Sequence, residues 1–271
     1  MSHISREFVK IRAQKRTYFG LAGLFVVPFI FTIAMRLSDP PDHSEAAGGG
    51  FFIDQIASNG LYVALGSLFA LSTFLLPLLA AMSGSQTIAG EAENGTLRTV
   101  LMQPVRRGTL LAAKWSVANL YIAIGLLVLL AGSFIAGGAI FGFKSMVLIS
   151  GPPAGIGHAI GLIFAAYVFV LIAMAAIVSL ALVLSTLTNS GLTAVAGAMV
   201  LVIIMLILGN LGPLAFLRPY LFTNHFTAWV NLFRDPIYWD PIRDALINFA
   251  VWIGAMTGLA WLIFRRKDIL S

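Results

Sequence analysis

Residues 90–114 read GEAENGTLRTVLMQPVRRGTLLAAK, a polar segment rich in charge and turn residues, set between two long apolar runs. A chain that is otherwise mostly apolar keeps a charged, structured element between two such runs when something in the water must grip it. Within the segment, residues 83–93 continue the preceding helix, with Glu91 and Glu93 in its last turns. Asn94 and Gly95 form its stop, since both residue types tolerate the left-handed conformation that closes a helix. Thr96 is the N-cap of a second short helix whose Leu97, Val100 and Leu101 share one face, with Arg98 and Gln103 elsewhere. Pro104 ends that turn. Gly108 and Thr109 restart a helix that carries Lys114 and Trp115 into the next apolar run.

The apolar runs on either side belong to a set of six: residues 17–37, 61–82, 117–141, 158–184, 192–208 and 245–264. Each is near the roughly 20 residues a helix needs to cross a hydrocarbon core of about 30 Å. The 271 residues are 59% hydrophobic and 10% charged, with a mean hydropathy of +0.93, against about 25% charged residues in a soluble domain. The runs do not alternate apolar and polar residues, which excludes the strands of a membrane barrel. The expected fold class is all-α, a polytopic integral membrane protein with six transmembrane helices forming one domain over residues 1–271.

Of the 17 Lys and Arg, twelve fall on the side of the N-terminus: Arg6, Lys10, Arg12, Lys15, Arg16, Arg98, Arg106, Arg107, Lys114, Arg265, Arg266 and Lys267. Five fall on the other: Arg36, Lys144, Arg218, Arg234 and Arg243. This bias places both termini in the cytosol. The net charge of +6 then reflects topology and anionic headgroups, with no call for nucleic acid. The first run is too long for a signal-peptide core and ends in Met35-Arg36-Leu37, so it stays as a span. The absence of cysteine excludes disulfides and Cys-based metal or redox chemistry.

In residues 1–16, Ile4, Phe8 and Ile11 form one helical stripe among basic residues, the pattern of a short helix lying on the inner leaflet. Pro28 and Pro77 sit inside spans one and two and are expected to kink them. Gly138/Gly142, Gly157/Gly161 and Gly254/Gly258 are small-xxx-small pairs that let helix backbones approach, within one subunit or across a dimer. Ser67, Ser72, Thr73, Asn119, Tyr121, Ser133, Tyr167 and Ser179 are polar positions within the spans. The outer segment 210–244 carries Phe216, Tyr220, Phe222, Phe226, Trp229 and Phe233. It suits short external helices that cap the outer mouth, or an aromatic belt at the headgroups.

The order of residue types in 90–114, G-E-x-E-x-G-T-L, then Pro, an Arg pair and a Lys entering the next span, resembles the cytosolic coupling loop of ABC-2 type transporter permeases, the type V exporters. The basic amphipathic start, six spans and the ending Phe264-Arg265-Arg266-Lys267-Asp268 extend the resemblance over most of the chain. It implies that the cytosolic loop 83–116 docks on a separate ABC ATPase. Glu91, Glu93, Gly95, Thr96, Leu97, Arg98, Val100, Leu101, Pro104, Arg106 and Arg107 would be the contact residues, with the three aliphatic ones in the cleft and the charges at its rim. It also implies two copies of the permease with two ATPase subunits in a bacterial or archaeal cytoplasmic membrane. ATP and Mg would be bound by the partner, and the outer loop would serve as a lid or as a docking surface for a periplasmic or extracellular partner. Related permeases serve cargoes from lipids, drugs and peptides to ions, polysaccharides and the maturation of nitrous-oxide reductase.

No G-x-x-x-x-G-K-[ST] occurs, so a P-loop is not expected in this chain. His3, His43, His158 and His225 form no metal-ligand spacing, and no catalytic constellation converges in a span, so no enzyme activity, cofactor or metal is expected. The uncharged second cytosolic loop, residues 185–191, is expected to add little to coupling. A secondary carrier or channel, or a membrane scaffold for maturation of an extracytoplasmic enzyme, remains the alternative. Spans without deep ionisable residues argue against an ion-driven carrier.

Overall fold

A computed structural model describes residues 15–37, 59–93 and 107–266, with residues 55 and 95 and with side chains from residue 18 onward. The proposed interfacial helix at 1–14, most of outer loop 38–58 and the closing residues 267–271 lie outside the described residues. So do Thr96, Leu97, Arg98, Val100, Leu101, Pro104 and Arg106.

The described residues form eight α-helices: α1 (Lys15–Leu37), α2 (Leu61–Ser72), α3 (Leu75–Ser85), α4 (Ala89–Glu93), α5 (Arg107–Ile140), α6 (Ile156–Leu187), α7 (Gly191–Asn210) and α8 (Trp239–Arg266). Five of them are long and apolar enough to cross a membrane singly. The bent pair α2–α3 makes the sixth crossing. Its first residues hydrogen-bond at the end where α5 finishes, Gly60 N to Gly142 O at 2.8 Å. The turn after α3 meets the end where α6 finishes, Ser185 Oγ to Ser85 O at 2.8 Å. α1 and α5 run parallel, because Gly20 faces Tyr121, Gly125 faces Leu24 and Gly132 faces the Phe25 backbone. Arg107 at the start of α5 binds carbonyls at the end of α8. The start of α1 and the end of α8 therefore lie at one end of the bundle, the end with the Lys/Arg excess.

α6 is the hub. Residues 173–183, AMAAIVSLALV, are all buried, and α8, α3, α7 and α5 pack around the helix. Small residues set these distances. A Cβ at Gly84 would meet Val178 O at 2.6 Å, and one at Gly132 would meet Phe25 O at 2.8 Å. The small pairs singled out from spacing are not these packing positions. Gly142 lies beyond the end of α5 with φ 70°, and Gly157, Gly161, Gly254 and Gly258 face open space.

Three boundaries differ from the sequence expectation. Span two is not one helix kinked at Pro77 but two helices bent by 59°, broken at Thr73-Phe74. Proline lacks the N–H that would bond the carbonyl four residues back, and its ring clashes there, so the damage falls one turn earlier. Pro28 does not break α1, which continues to Leu37 with the Thr32 hydroxyl donating to Pro28 O at 2.6 Å. Span three begins at Arg107 rather than 117, making α5 a helix of 34 residues, about 51 Å long at 1.5 Å per residue.

At the outer end, residues 212–233 fold as three 3-10 turns, Gly212–Tyr220, Phe222–His225 and Ala228–Phe233. The two readings of the aromatic segment divide along it. Phe222, Trp229 and Phe233 are fully buried and Phe226 nearly so, capping α6 and α8, while Phe216 and Tyr220 stay exposed. Backbone bonds from Ile149 N to Phe233 O and from Asp235 N to Ser150 O tie this cap to the α5–α6 loop.

Candidate coupling site at the inner end

The first limb of the polar loop is fastened to three other helices of the bundle. After α3, residues 86–88 turn the chain into α4, and Ser185 on α6 organises the turn. Its hydroxyl accepts from Ile88 N at 3.1 Å and Ala89 N at 2.8 Å, while donating to Ser85 O at 2.8 Å. One buried hydroxyl thus satisfies three backbone groups between two helices, groups that would otherwise cost free energy if left unbonded away from water.

Lys114 of α5 comes next. Its ammonium donates to Thr87 O at 2.7 Å and lies 2.8 Å from Glu91 Oε2. Lys114 is 2% exposed and Glu91 12%. A charge this buried is tolerated only when paired and hydrogen-bonded, and here it is both. Glu93 points the other way and accepts from Gly191 N at 2.8 Å, at the first turn of α7. The residue preceding that helix, Ser190, makes no side-chain cap bond, so the carboxylate of α4 caps α7 in its place and meets the positive end of the helix dipole. Gln86 lies between Gly90 and Gly191, where a Cβ at either glycine would collide with its amide.

The second limb is anchored by Arg107, whose guanidinium donates to Phe264 O and Arg265 O, both at 3.1 Å. A cation on the last carbonyls of α8 satisfies groups left orphaned at a helix end. Below it, Ile88, Leu110, Leu111, Leu182, Val183, Ala260 and Phe264 form a small apolar core separate from the main one. Trp115 Nε1 donates to Ser179 Oγ at 2.9 Å.

Of the eleven residues singled out from sequence, Glu91, Glu93, Gly95 and Arg107 are described. Gly95 takes φ 69° and its N–H bonds Ala92 O, closing α4 as a helix stop does. Glu91, Glu93 and Arg107 bond within the chain, so their charges are engaged by α5, α7 and α8. Sequence reasoning missed Ser185 and Gly191, which make the uncharged second loop the receptor for the first. Its hydroxyl-rich run, STLTNSG, was the available signal. It missed Lys114 as the partner of Glu91, although that lysine is the one charged residue in 110–117. Among the described residues no group of three or more metal-capable side chains occurs.

Comparison with known proteins agrees with this architecture. A family model described as ABC-2 family transporter protein matches residues 6–269. The chain is 35% identical over 74 residues to the probable ABC transporter permease protein NosY of Stutzerimonas stutzeri. It is 36% identical over 74 residues to the protein of the same name from Pseudomonas aeruginosa. In both cases the aligned part is 27% of this chain and 27% of the relative.

Proposed function

The chain belongs to the ABC-2 family of transporter proteins, and on that premise we propose that it is the non-catalytic membrane half of an ATP-driven exporter. Residues 96–106 are its contact with a separate ATPase subunit. The observation that carries this reading is the fastening of both ends of that segment. On one side, Ser185, Lys114 and Gly191 hold 85–93; on the other, Arg107 holds α8. A contact element must be rigidly joined to the spans if closure of an ATPase is to move them. Leu97, Val100 and Leu101 supply the apolar face and Arg98 and Arg106 the rim. Glu91, Glu93 and Arg107 stand at the rim as well, and through Glu91 Oε2, Glu93 Oε2 and Arg107 Nη1 they also join the contact to α5, α7 and α8.

Two permease copies then serve two ATPase subunits, which bind ATP and Mg. The test is the double substitution Leu97→Asp/Leu101→Asp. Each buried leucine contributes about 1.5–3 kcal/mol to such a contact before any charge penalty. The expected outcome is loss of ATPase co-purification with membrane insertion unchanged. A variant that inserts, binds and stimulates ATP hydrolysis normally overturns the proposal.

A further inference from the structure

The break in span two is exposed, and that is chemically costly at its depth. α2 holds 12 residues and α3 holds 11, so the break lies about 16–18 Å along the helix from either end at 1.5 Å per residue. That is close to the middle of a hydrocarbon core of about 30 Å. Pro77 has no N–H, so the carbonyl of Thr73, four residues earlier, has lost its helical donor. Ala70, Thr73 and Phe74 are all exposed, Phe74 by 57%. Phe74 itself is off the helical backbone region, at φ −135° and ψ −53°.

The other mid-span proline provides the contrast. The carbonyl four residues before Pro28 belongs to Leu24, which is 2% exposed and packed against Gly125 of α5. Most of the other span hydroxyls are bonded internally, and Ser67 Oγ is buried without a partner. Ser72 donates to Phe69 O, Ser133 to Leu129 O, Ser179 to Ala175 O and Thr257 to Ile253 O. Tyr167 donates to Ala64 O. Among the eight in-span polar residues singled out from sequence, Thr73 is the one whose side chain is exposed.

Irregular backbone at membrane depth is tolerated inside protein or along a water-filled cavity, not against lipid. Exposed side chains on neighbouring spans, such as Val26, Ile30, Leu127, Val200 and Ile203, are aliphatic and offer no donor to the freed carbonyl. We propose that Thr73-Phe74 lines a water-containing path at mid-membrane. There the Thr73 carbonyl and hydroxyl form a hydrogen-bonding subsite for a passing solute that carries N–H or O–H donors, and Phe74 is its apolar wall. The inference rests on the transport reading for the solute, and on helix chemistry alone for the water.

The test exploits the absence of cysteine from the chain. Thr73→Cys, and Ala70→Cys one turn earlier on the same exposed face, are expressed with the ATPase partner in native membranes. They are treated with a small, charged, membrane-impermeant methanethiosulfonate reagent, which needs a hydrated thiolate. Asn210→Cys at the outer end of α7 is the positive control and Ile203→Cys the lipid-facing one. The expected result is complete modification at Thr73→Cys or Ala70→Cys and none at Ile203→Cys. Absence of modification at both break positions, with Asn210→Cys fully modified, overturns the water path. The readout does not depend on ATPase binding. Failure of the coupling proposal, read by co-purification of the Leu97→Asp/Leu101→Asp variant, is therefore a separate result.

Discussion

The two ends of the bundle are closed by different chemistry. At the outer end the fastenings are mostly neutral and made to backbone, with Arg218 Nε to Gly209 O at 2.9 Å the charged exception. The Asn59 amide, 2% exposed, donates to Lys144 O at 2.8 Å and Ser145 O at 3.3 Å. Its oxygen accepts from Leu61 N and Lys144 N. Tyr62 Oη donates to Val147 O at 2.7 Å, and the fully buried Trp229, Phe222 and Phe233 seal the centre. At the inner end the fastenings are charged or belong to single side chains: Lys114 with Glu91, Glu93 with Gly191 N, Arg107 with two carbonyls, Ser185 with three backbone groups. On the proposed coupling reading, the difference marks where movement would enter. The outer cap stabilises the fold through buried area, whereas the inner set joins one particular loop to particular spans.

The largest expected effect is on the outer side. Trp229→Ala removes a fully buried indole and should destabilise the protein by about 3–5 kcal/mol, seen as a lower thermal midpoint in detergent. Protein that survives purification should still retain the ATPase. Lys114→Met should cost about 2–4 kcal/mol, somewhat less than breaking a fully buried pair because Glu91 keeps some exposure. It should also weaken ATPase-coupled activity. Adding Glu91→Gln should recover most of the stability but not the coupling, and a double-mutant cycle reads both. Ser185→Ala orphans Ile88 N and Ala89 N and should cost about 1–3 kcal/mol, measured by faster amide exchange confined to residues 86–93. Glu93→Gln removes the charge but keeps an acceptor at the start of α7, so only about 0.3–1 kcal/mol should be lost. If Trp229→Ala abolishes ATPase association and Lys114→Met leaves coupling intact, the division between the two ends fails.

The sequence made the crossings legible because sustained hydropathy over about 20 residues reports passage through a hydrocarbon core, whether the helix faces lipid or, like α6, protein. It placed the start of α5 at Gly108-Thr109, one residue from the observed start at Arg107, whereas hydropathy marked span three only from 117, because residues 107–116 carry charged and polar groups. The aromatic cap was half legible. Phe222, Phe226, Trp229 and Phe233 fall at i, i+4, i+7 and i+11, a stripe that separates them from the exposed Phe216 and Tyr220. The hydroxyl-rich run marked Ser185 as polar, but its partners were not legible, because they lie about a hundred positions earlier and no local pattern records such a distance. The break at Thr73-Phe74 could have been placed by moving one turn back from Pro77 rather than stopping at the proline. For the coupling loop, residue types suggested who is charged but not who is already engaged.

The uninterrupted length of α5 imposes a phase relation on the molecule. One helix places Arg107 and Lys114 among the inner fastenings, and the same helix, through Gly137 and the turn ending at Gly142, meets Gly60 at the outer end. Each residue of helix turns the chain by about 100°. A single residue inserted near Leu126 would therefore not merely lengthen the rod by about 1.5 Å. It would rotate one set of contacts by more than a quarter turn against the other, so that Lys114 could face Glu91 or Gly137 could face Gly60, but not both. An insertion of seven residues, close to two whole turns, would restore the angle and leave only a change of height. The two ends are thus keyed to each other by angle, and α5 tolerates changes of side chain far better than changes of count.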